Sequence, residues 1–264
     1  MTFSWSGADG WVRLQATLDA MFARVEDLLV DQVDPSAAAV LDVGCGTGAT
    51  TLAIARKLGP HARCVGVDIS EQMIALARRR AAGSAVEFVV ADAGRHAFEP
   101  GAFDVIASRF GVMFFEQPER AFANLRTATR GGGTLRAVVW RRAEETPFMT
   151  AAEQAVGGML ALPPRSTDGP GQFAFADRER VLHILDDASW SEAAVEPVDL
   201  PCAFPAADLD AYVGTMGPVG RALTEHDEAT RARVVEHVRP AFDRFRHGDE
   251  VRFTAACWLV TATA

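Results

Sequence analysis

The stretch Val40-Leu41-Asp42-Val43-Gly44-Cys45-Gly46-Thr47-Gly48-Ala49-Thr50-Thr51 constrains this chain more than any other. Val40 to Val43 is a short apolar run broken by one carboxylate. Glycines alternate at 44, 46 and 48, and Leu52, Ile54, Ala55 and Leu58 follow at roughly helical spacing. The pattern reads as a buried strand, a glycine turn and the first turn of a helix. Glycines there permit positive φ and let a ligand approach the backbone. The helix presents free N–H groups and its positive dipole end to that ligand. A nucleotide or nucleoside cradle is expected.

Two cradles compete. Gly44-x-Gly46-x-x-Ala49 formally satisfies the dinucleotide fingerprint, which would make the chain an NAD(P)-dependent oxidoreductase. Asp42 argues for the other: a carboxylate inside the strand repels a pyrophosphate and attracts an amine or sulfonium. With Gly48 the run becomes D-x-G-x-G-x-G, and it lies behind a helical N-terminal segment. This resembles motif I of the class I S-adenosylmethionine-dependent methyltransferases.

The remaining chain carries the resemblance onward in order. Asp9 is expected to cap one amphipathic helix from Trp11 to Val30, with Leu14, Leu18, Met21, Phe22, Val25, Leu28 and Leu29 on one face. Cys64 to Asp68 reads as the second strand, ending in a carboxylate where this fold class binds ribose hydroxyls. Ser70 caps a helix that stops at Gly83. Val86 to Ala91 is the third strand, followed by Asp92-Ala93. Phe103 to Ser108 is the fourth, running into the apolar turn Arg109 to Phe115. Pro118 opens a helix, Gly131-Gly132-Gly133 ends it, and Thr134 to Trp140 is the fifth strand. Phe148 to Leu162 and the segment after Asp177 read as helices. Ala194 to Phe204, broken by Pro197 and Pro201, reads as an edge strand. Residues 206–247 are helical with breaks at Gly217-Pro218 and near Pro240, and Val251 to Ala262 is a final strand.

Strands alternating with helices imply a parallel, doubly wound α/β sheet. The resemblance sharpens this to a three-layer Rossmann-like seven-stranded methyltransferase sheet, order 3-2-1-4-5-7-6 with strand 7 antiparallel, under a helical lid. One domain is expected over residues 1–264: a helical cap (1–37), a cofactor-binding core (38–142), and a substrate and lid part (143–264) with a helical insertion near 205–248. Ser108 to Phe115, Gly171 to Asp177 and the early Trp5 and Trp11 look like a bacterial small-molecule subgroup related to the ubiquinone and menaquinone C-methyltransferases. Gly131 stands where that family usually has proline, which loosens a turn without touching a ligand.

The resemblance implies S-adenosylmethionine as cofactor, S-adenosylhomocysteine as product, and a set of cofactor-binding positions. These are Asp42, Gly44, Cys45, Gly46, Thr47, Gly48 and Thr50 at the glycine turn, with Asp68, Ile69 and Met73 at the ribose. Asp92 and Ala93 would meet adenine, and Ser108, Arg109, Phe110, Trp5 and Trp11 would close the site. No catalytic residue is assigned, because in-line methyl transfer can run on orientation alone. Arg109 is a candidate anchor for an anionic substrate group, and His183, His226 and His237 are candidate bases, each expected on a helix. Phe110, Met113, Phe114 and Phe115 could line an apolar acceptor pocket or belong to the core. A non-catalytic cofactor-binding protein on the same fold stays open beside the enzyme readings.

Composition narrows the partners. Lys and Arg number 26 against 35 Asp and Glu, a net charge of −9 that lacks the basic footprint of a nucleic-acid binder. A small-molecule substrate is expected, with a homodimer left open. Arg78-Arg79-Arg80 reads as a helix end complementing its dipole. The four cysteines, at 45, 64, 202 and 257, form no CxxC pair, so neither a metal site nor a disulfide framework is expected. No apolar run is long enough to span a membrane and the first residues lack the blocks of a signal peptide, so a cytoplasmic protein is expected.

Overall fold

A computed structural model describes residues 8–163 and 169–264. The chain opens with α1 (Ala8–Arg13), α2 (Gln15–Met21) and α3 (Ala23–Gln32). Then come β1 (Ala39–Val43), α4 (Ala49–Leu58), β2 (Arg63–Asp68), α5 (Glu71–Arg80), β3 (Glu87–Val90), β4 (Phe103–Arg109), α6 (Pro118–Ala128) and β5 (Thr129–Trp140). The second half holds α7 (Pro147–Val156), α8 (Arg178–Asp187), β6 (Ser191–Pro205), α9 (Leu209–Val213), α10 (Gly217–Leu223), α11 (Glu228–Val238), β7 (Arg246–His247) and β8 (Glu250–Thr263).

The sheet runs β3-β2-β1-β4-β5-β8-β6. The first five strands are parallel, β8 is antiparallel to β5, and β6 is antiparallel to β8. This is the expected Rossmann-like order, with the reversed strand inserted next to the edge. The count differs by one, because β7 pairs back onto β8 as a two-residue ladder. Strand alternation builds two faces. Val40, Cys64 and Val105 pack on one side against Val33 and Ile54. Leu41, Val65 and Ile106 pack on the other within the main core. Asp104 binds the start of β1 to β4 by accepting from the amides of Ala38 (2.5 Å) and Ala39 (2.9 Å).

Three local expectations are corrected. The N-terminal helix bends at Leu14 and Phe22, although i→i−4 bonds such as Phe22 N–H to Leu18 carbonyl (3.1 Å) carry across both. Phe22 sits edge-on to Phe110 (5.3 Å) and Trp140 (6.1 Å), which ties the second bend to the sheet. Asp9 lies inside the first turn of α1 rather than ahead of it. Gly131 to Gly133 do not separate helix from strand. They lie within β5, where the register jumps between Phe103↔Thr129 and Val105↔Thr134, so the glycines form a bulge. The break expected at Gly217-Pro218 is present: α9 ends at Val213, and Gly217-Pro218 opens α10, since proline is pre-set for a first turn.

The β6–β8 pair continues past the carboxyl end of β5: Trp140 pairs with Cys257, while Phe204 pairs with Val251 far beyond it. Helices fill the space above that extension around Phe148 of α7. Its ring stacks on Phe253 (4.1 Å) and meets Phe242 (5.3 Å), Phe245 (5.3 Å) and Tyr212 (5.5 Å). Burying rings in edge and stacked contact adds to the transfer free energy of their area. Phe148→Ala should therefore lower unfolding stability by about 3–5 kcal/mol, read from chemical denaturation.

Candidate functional site

Two turns at the carboxyl ends of the central strands make the site. The first follows β1, where Gly44, Gly46 and Gly48 have φ of 66°, 55° and 87°. The second follows β4. The two press together: a Cβ on Gly44 would lie 2.5 Å from the Gly111 Cα, and one on Gly111 would lie 2.4 Å from the Val43 carbonyl oxygen. Ser108 locks the arrangement. Its hydroxyl donates to the Val43 carbonyl (2.8 Å) and accepts from the amides of Gly111 (3.1 Å) and Val112 (3.2 Å).

Around these turns one cleft opens. Asp42, Gly44, Cys45, Gly46, Thr47, Thr50, Asp68, Ile69, Met73, Asp92, Ala93, Arg109, Phe110 and Trp11 all line it. Three expected members stand elsewhere. Ser108 is fully buried behind the wall and shapes the turn. Gly48 faces Phe88, whose ring would lie 2.7 Å from a Cβ there. Trp5 lies outside the described residues. Among the four apolar candidates, Phe110, Phe114 and Phe115 reach the cleft, whereas Met113 is core, its sulfur accepting the Trp140 amide at 3.4 Å.

Asp68 ends β2 and holds the glycine turn in place. One oxygen accepts the Gly46 amide (2.9 Å) and the other the Ser70 amide (2.8 Å). Burial pushes its carboxyl above the ordinary range, while the Ser70, Gly46 and Ile69 amides pull it back. Asp42 is more confined. Thr51 donates to one oxygen at 2.6 Å, and the other is buried with no partner. Burial raises this carboxyl from its ordinary 3.8 to about 7, against the Thr51 bond and the positive charge of Arg109. Asp92 is half-exposed, accepting from the Gly94 amide at 2.9 Å and facing Arg95 at 3.5 Å.

Some residues that shape the site gave little signal in the sequence. Arg80, one of the three helix-end arginines, donates to the Thr47 carbonyl (2.7 Å) and to Asp19 (2.6 Å), fastening the glycine turn to α2. Arg95 and Glu116 form a 3.0 Å ion pair on the rim, 21 residues apart in sequence. No local spacing announces such a pair.

The histidines do not join the site. His183 on α8, His226 between α10 and α11, and His237 on α11 are all exposed and off the cleft wall. As candidate bases they are set aside: His183 and His237 lie on the solvent faces of helices whose Ile184, Leu185, Val234 and Val238 turn inward, and His226, expected on a helix, stands in the connection ahead of α11. Among the described residues no group of three or more His, Cys, Asp or Glu is placed to hold a metal, and no helix is long and apolar enough to cross a membrane. All four cysteines are free and buried.

The fit of a sulfonium nucleoside can be judged from the wall itself. The glycine turn brings bare backbone to the cleft, and Asp68 offers carboxylate lone pairs beside it. The unpartnered Asp42 oxygen would repel a pyrophosphate and attract a cation. Residues 40–133 match the family model described as "Methyltransferase domain". The chain is 26% identical over 168 residues to demethylmenaquinone methyltransferase of Renibacterium salmoninarum, covering 59% of this chain and 67% of that protein. It is 37% identical over 112 residues to nocamycin O-methyltransferase of Saccharothrix syringae, covering 39% of this chain and 40% of that one. Phosphoethanolamine N-methyltransferase 2 of Haemonchus contortus, solved with S-adenosyl-L-methionine, superposes with a TM-score of 0.58 at 16% identity over 99% of this chain and 60% of that one. That last likeness is one of fold.

The strand order is that of the solved methyltransferase, and residues 40–133, which hold the glycine turn, are similar to a methyltransferase domain.

Two outcomes are expected here. Gly111→Ala should destabilise the fold by about 2–3 kcal/mol, because its Cβ meets backbone. Gly131→Ala, with open space around it, should stay within about 0.5 kcal/mol, both read from denaturant midpoints. The second concerns pH. A cation binds the ionised form of Asp42, so the Kd for S-adenosylhomocysteine should fall as pH rises toward about 7, by up to tenfold per unit, and then level. The unliganded fold responds oppositely: Asp42 favours it below 3.8, and that contribution is lost as pH rises through about 7. Asp42→Asn should flatten the binding profile measured by calorimetry.

Proposed function

We propose that the protein transfers a methyl group from S-adenosylmethionine to an O, N, S or C atom of a small apolar or aromatic molecule. The observation that carries this reading is the continuity of one cleft. Asp42, the glycine turn and Asp68 lie at its polar wall, and Trp11, Phe110, Phe114 and Phe115 supply its apolar surface. The matched stretches span 67% and 40% of the two curated relatives' lengths, so the acceptor is argued from this cleft first. The relatives' names point the same way, one acting on demethylmenaquinone and the other on an oxygen of nocamycin.

The cofactor, when bound, supplies an activated methyl on a sulfonium. The chain's residues hold and orient. Asp68 would accept from the ribose hydroxyls while keeping Gly46 in place. Asp92 and the Ala93 amide would meet the adenine edge. Ile69 and Met73 would pack on the nucleoside, and Trp11 would close over it from α1. The aromatic residues would exclude water and aim the acceptor atom along the sulfur–methyl axis. Alignment of two reactants supplies roughly 7–11 kcal/mol, so no protein base is required. Residues 206–245 with α7 would act as the cover on the acceptor side. A cytoplasmic setting, where thiols stay reduced, suits the four free cysteines.

Calorimetric titration with S-adenosylmethionine and S-adenosylhomocysteine, with NADH and NADPH as controls, tests the reading. Micromolar binding of the first pair is expected, weakened at least about 30-fold in Asp68→Ala, where a charged hydrogen-bonding group is lost. Heat from a nicotinamide alone would return the glycine turn to a dinucleotide. Methyl transfer from labelled cofactor to a panel of quinones and phenolic natural products then separates an enzyme from a binding protein.

A further inference from the structure

Side chains alternate across the outer strands of the sheet, and one of the two faces there is open. In β5, Leu135 and Ala137 are buried, whereas Thr134 and Arg136 are half-buried. In β8, Val260 and Ala262 are buried, whereas Thr261 and Thr263 are half-buried. In β6, Val195 is buried, whereas Ala194 is half-buried and Glu196 exposed. Register sets Arg136, Thr261 and Ala194 side by side in one row, which continues inward to Ala107 of β4. Ala107 is covered, packing with Val33 and Ile54, and the face opens outward from there. One dry side and one open side is the pattern of a sheet that meets solvent or a partner.

This open patch carries charge that the chain itself leaves unpaired. Arg136 Nε is buried with no hydrogen-bond partner, and Nη1 donates to the adjacent Leu135 carbonyl at 2.8 Å. Burial lowers the pKa of this guanidinium. Glu196 lies on the same face, two residues along β6 from Ala194. Among the described residues neither Arg136 nor Glu196 forms an ion pair. A buried donor on a charged group costs free energy, which a carboxylate brought from outside recovers. The sheet edge offers a poor alternative contact. β6 is the edge strand, and Pro197, Pro201 and Pro205 interrupt it at every fourth position, so it cannot template a further strand. A partner has to meet the face.

We propose that this face is the interface of a homodimer whose two-fold axis runs along β8, with Arg136 of each copy paired to the partner's Glu196. Rotation about that line exchanges the places of β5 and β6, which flank β8. Each Arg136 then stands against the partner's Ala194, and the partner's Glu196 lies two residues along the strand, about 7 Å away and within reach of an arginine. A cation on one flanking strand and a carboxylate on the other make the patch complementary to itself, as an isologous contact requires. Thr261 and Thr263 lie on the axis and are small enough for two sheets to approach. None of these residues lines the cleft, so the inference stands apart from the proposed reaction.

The test is a charge-reversal cycle read by analytical ultracentrifugation of the whole chain, from low to high micromolar concentration. The wild-type protein should reach twice the mass of one chain at the upper end. Arg136→Glu and Glu196→Arg should each raise the dimer Kd at least about 30-fold, because each sets like charges against one another. The two reversals together should bring the Kd back to within about fivefold of the wild type, since the pair is restored with its ends exchanged. S-adenosylhomocysteine binding should be the same in every variant. If Arg136→Glu lowers the melting temperature, Ala194→Arg takes its place: it faces the partner's Arg136 with a second guanidinium and should break the dimer of a protein that melts normally. A wild-type protein that stays monomeric throughout overturns the proposal. So do single reversals or Ala194→Arg that leave the Kd unchanged, and a double reversal that associates no better than the single ones.

Discussion

The near-contact of two glycine backbones is the constraint on which the site depends. Gly44 and Gly111 end strands that are neighbours in the sheet, and neither has room for a methyl group. That approach sets the floor of the cleft and lets Ser108 bridge the two turns through the Val43 carbonyl. It also brings the Arg109–Phe110 turn over the glycine cradle. Asp68 and Arg80 then fasten the cradle from either side, one by its carboxylate on Gly46 and the other by its guanidinium on Thr47.

Buried charge is the second organising element. A carboxylate in the middle of a parallel strand is disfavoured unless something compensates it. Thr51 satisfies half of Asp42, and the field of Arg109 offsets part of the rest. The unliganded protein keeps this charge partly unsatisfied, which is how a site stores affinity for a cationic partner. The aromatic layer works in the other direction. Phe22, Phe110 and Trp140 carry the N-terminal helices onto the second turn, so α1 to α3 are part of the cleft's construction and not an appendage.

Much of the glycine-turn side of the cleft was readable because it is local. Asp42, Gly44, Gly46, Thr50, Asp68 and Asp92 sit within a few residues of strand ends, and a strand end plus a turn has a fixed geometry over that range. Ser70 as a cap is legible for the same reason, its hydroxyl accepting the Met73 amide of the helix it starts. The aromatic side of the cleft was less legible. Phe110 and Met113 belong to the same apolar run, yet one lines the cleft and the other accepts the Trp140 amide in the core. Only the turn's strained backbone separates them.

The sequence by itself determined the class of fold and the glycine turn at the cleft, because period-2 and period-3.6 patterns and glycine spacing act through neighbours along the chain. Tertiary structure alone decided what arises from distant segments meeting. Arg80 reaches across 33 residues to Thr47, and the Arg95–Glu116 pair forms across 21. The Phe148 cluster gathers rings from four separate stretches, and the glycines after α6 become a bulge because β4 dictates the register. His183, His226 and His237 were chemically eligible and geometrically excluded. Side-chain chemistry is written in the sequence, but whether a group faces a cleft or solvent depends on packing between elements that no local pattern encodes.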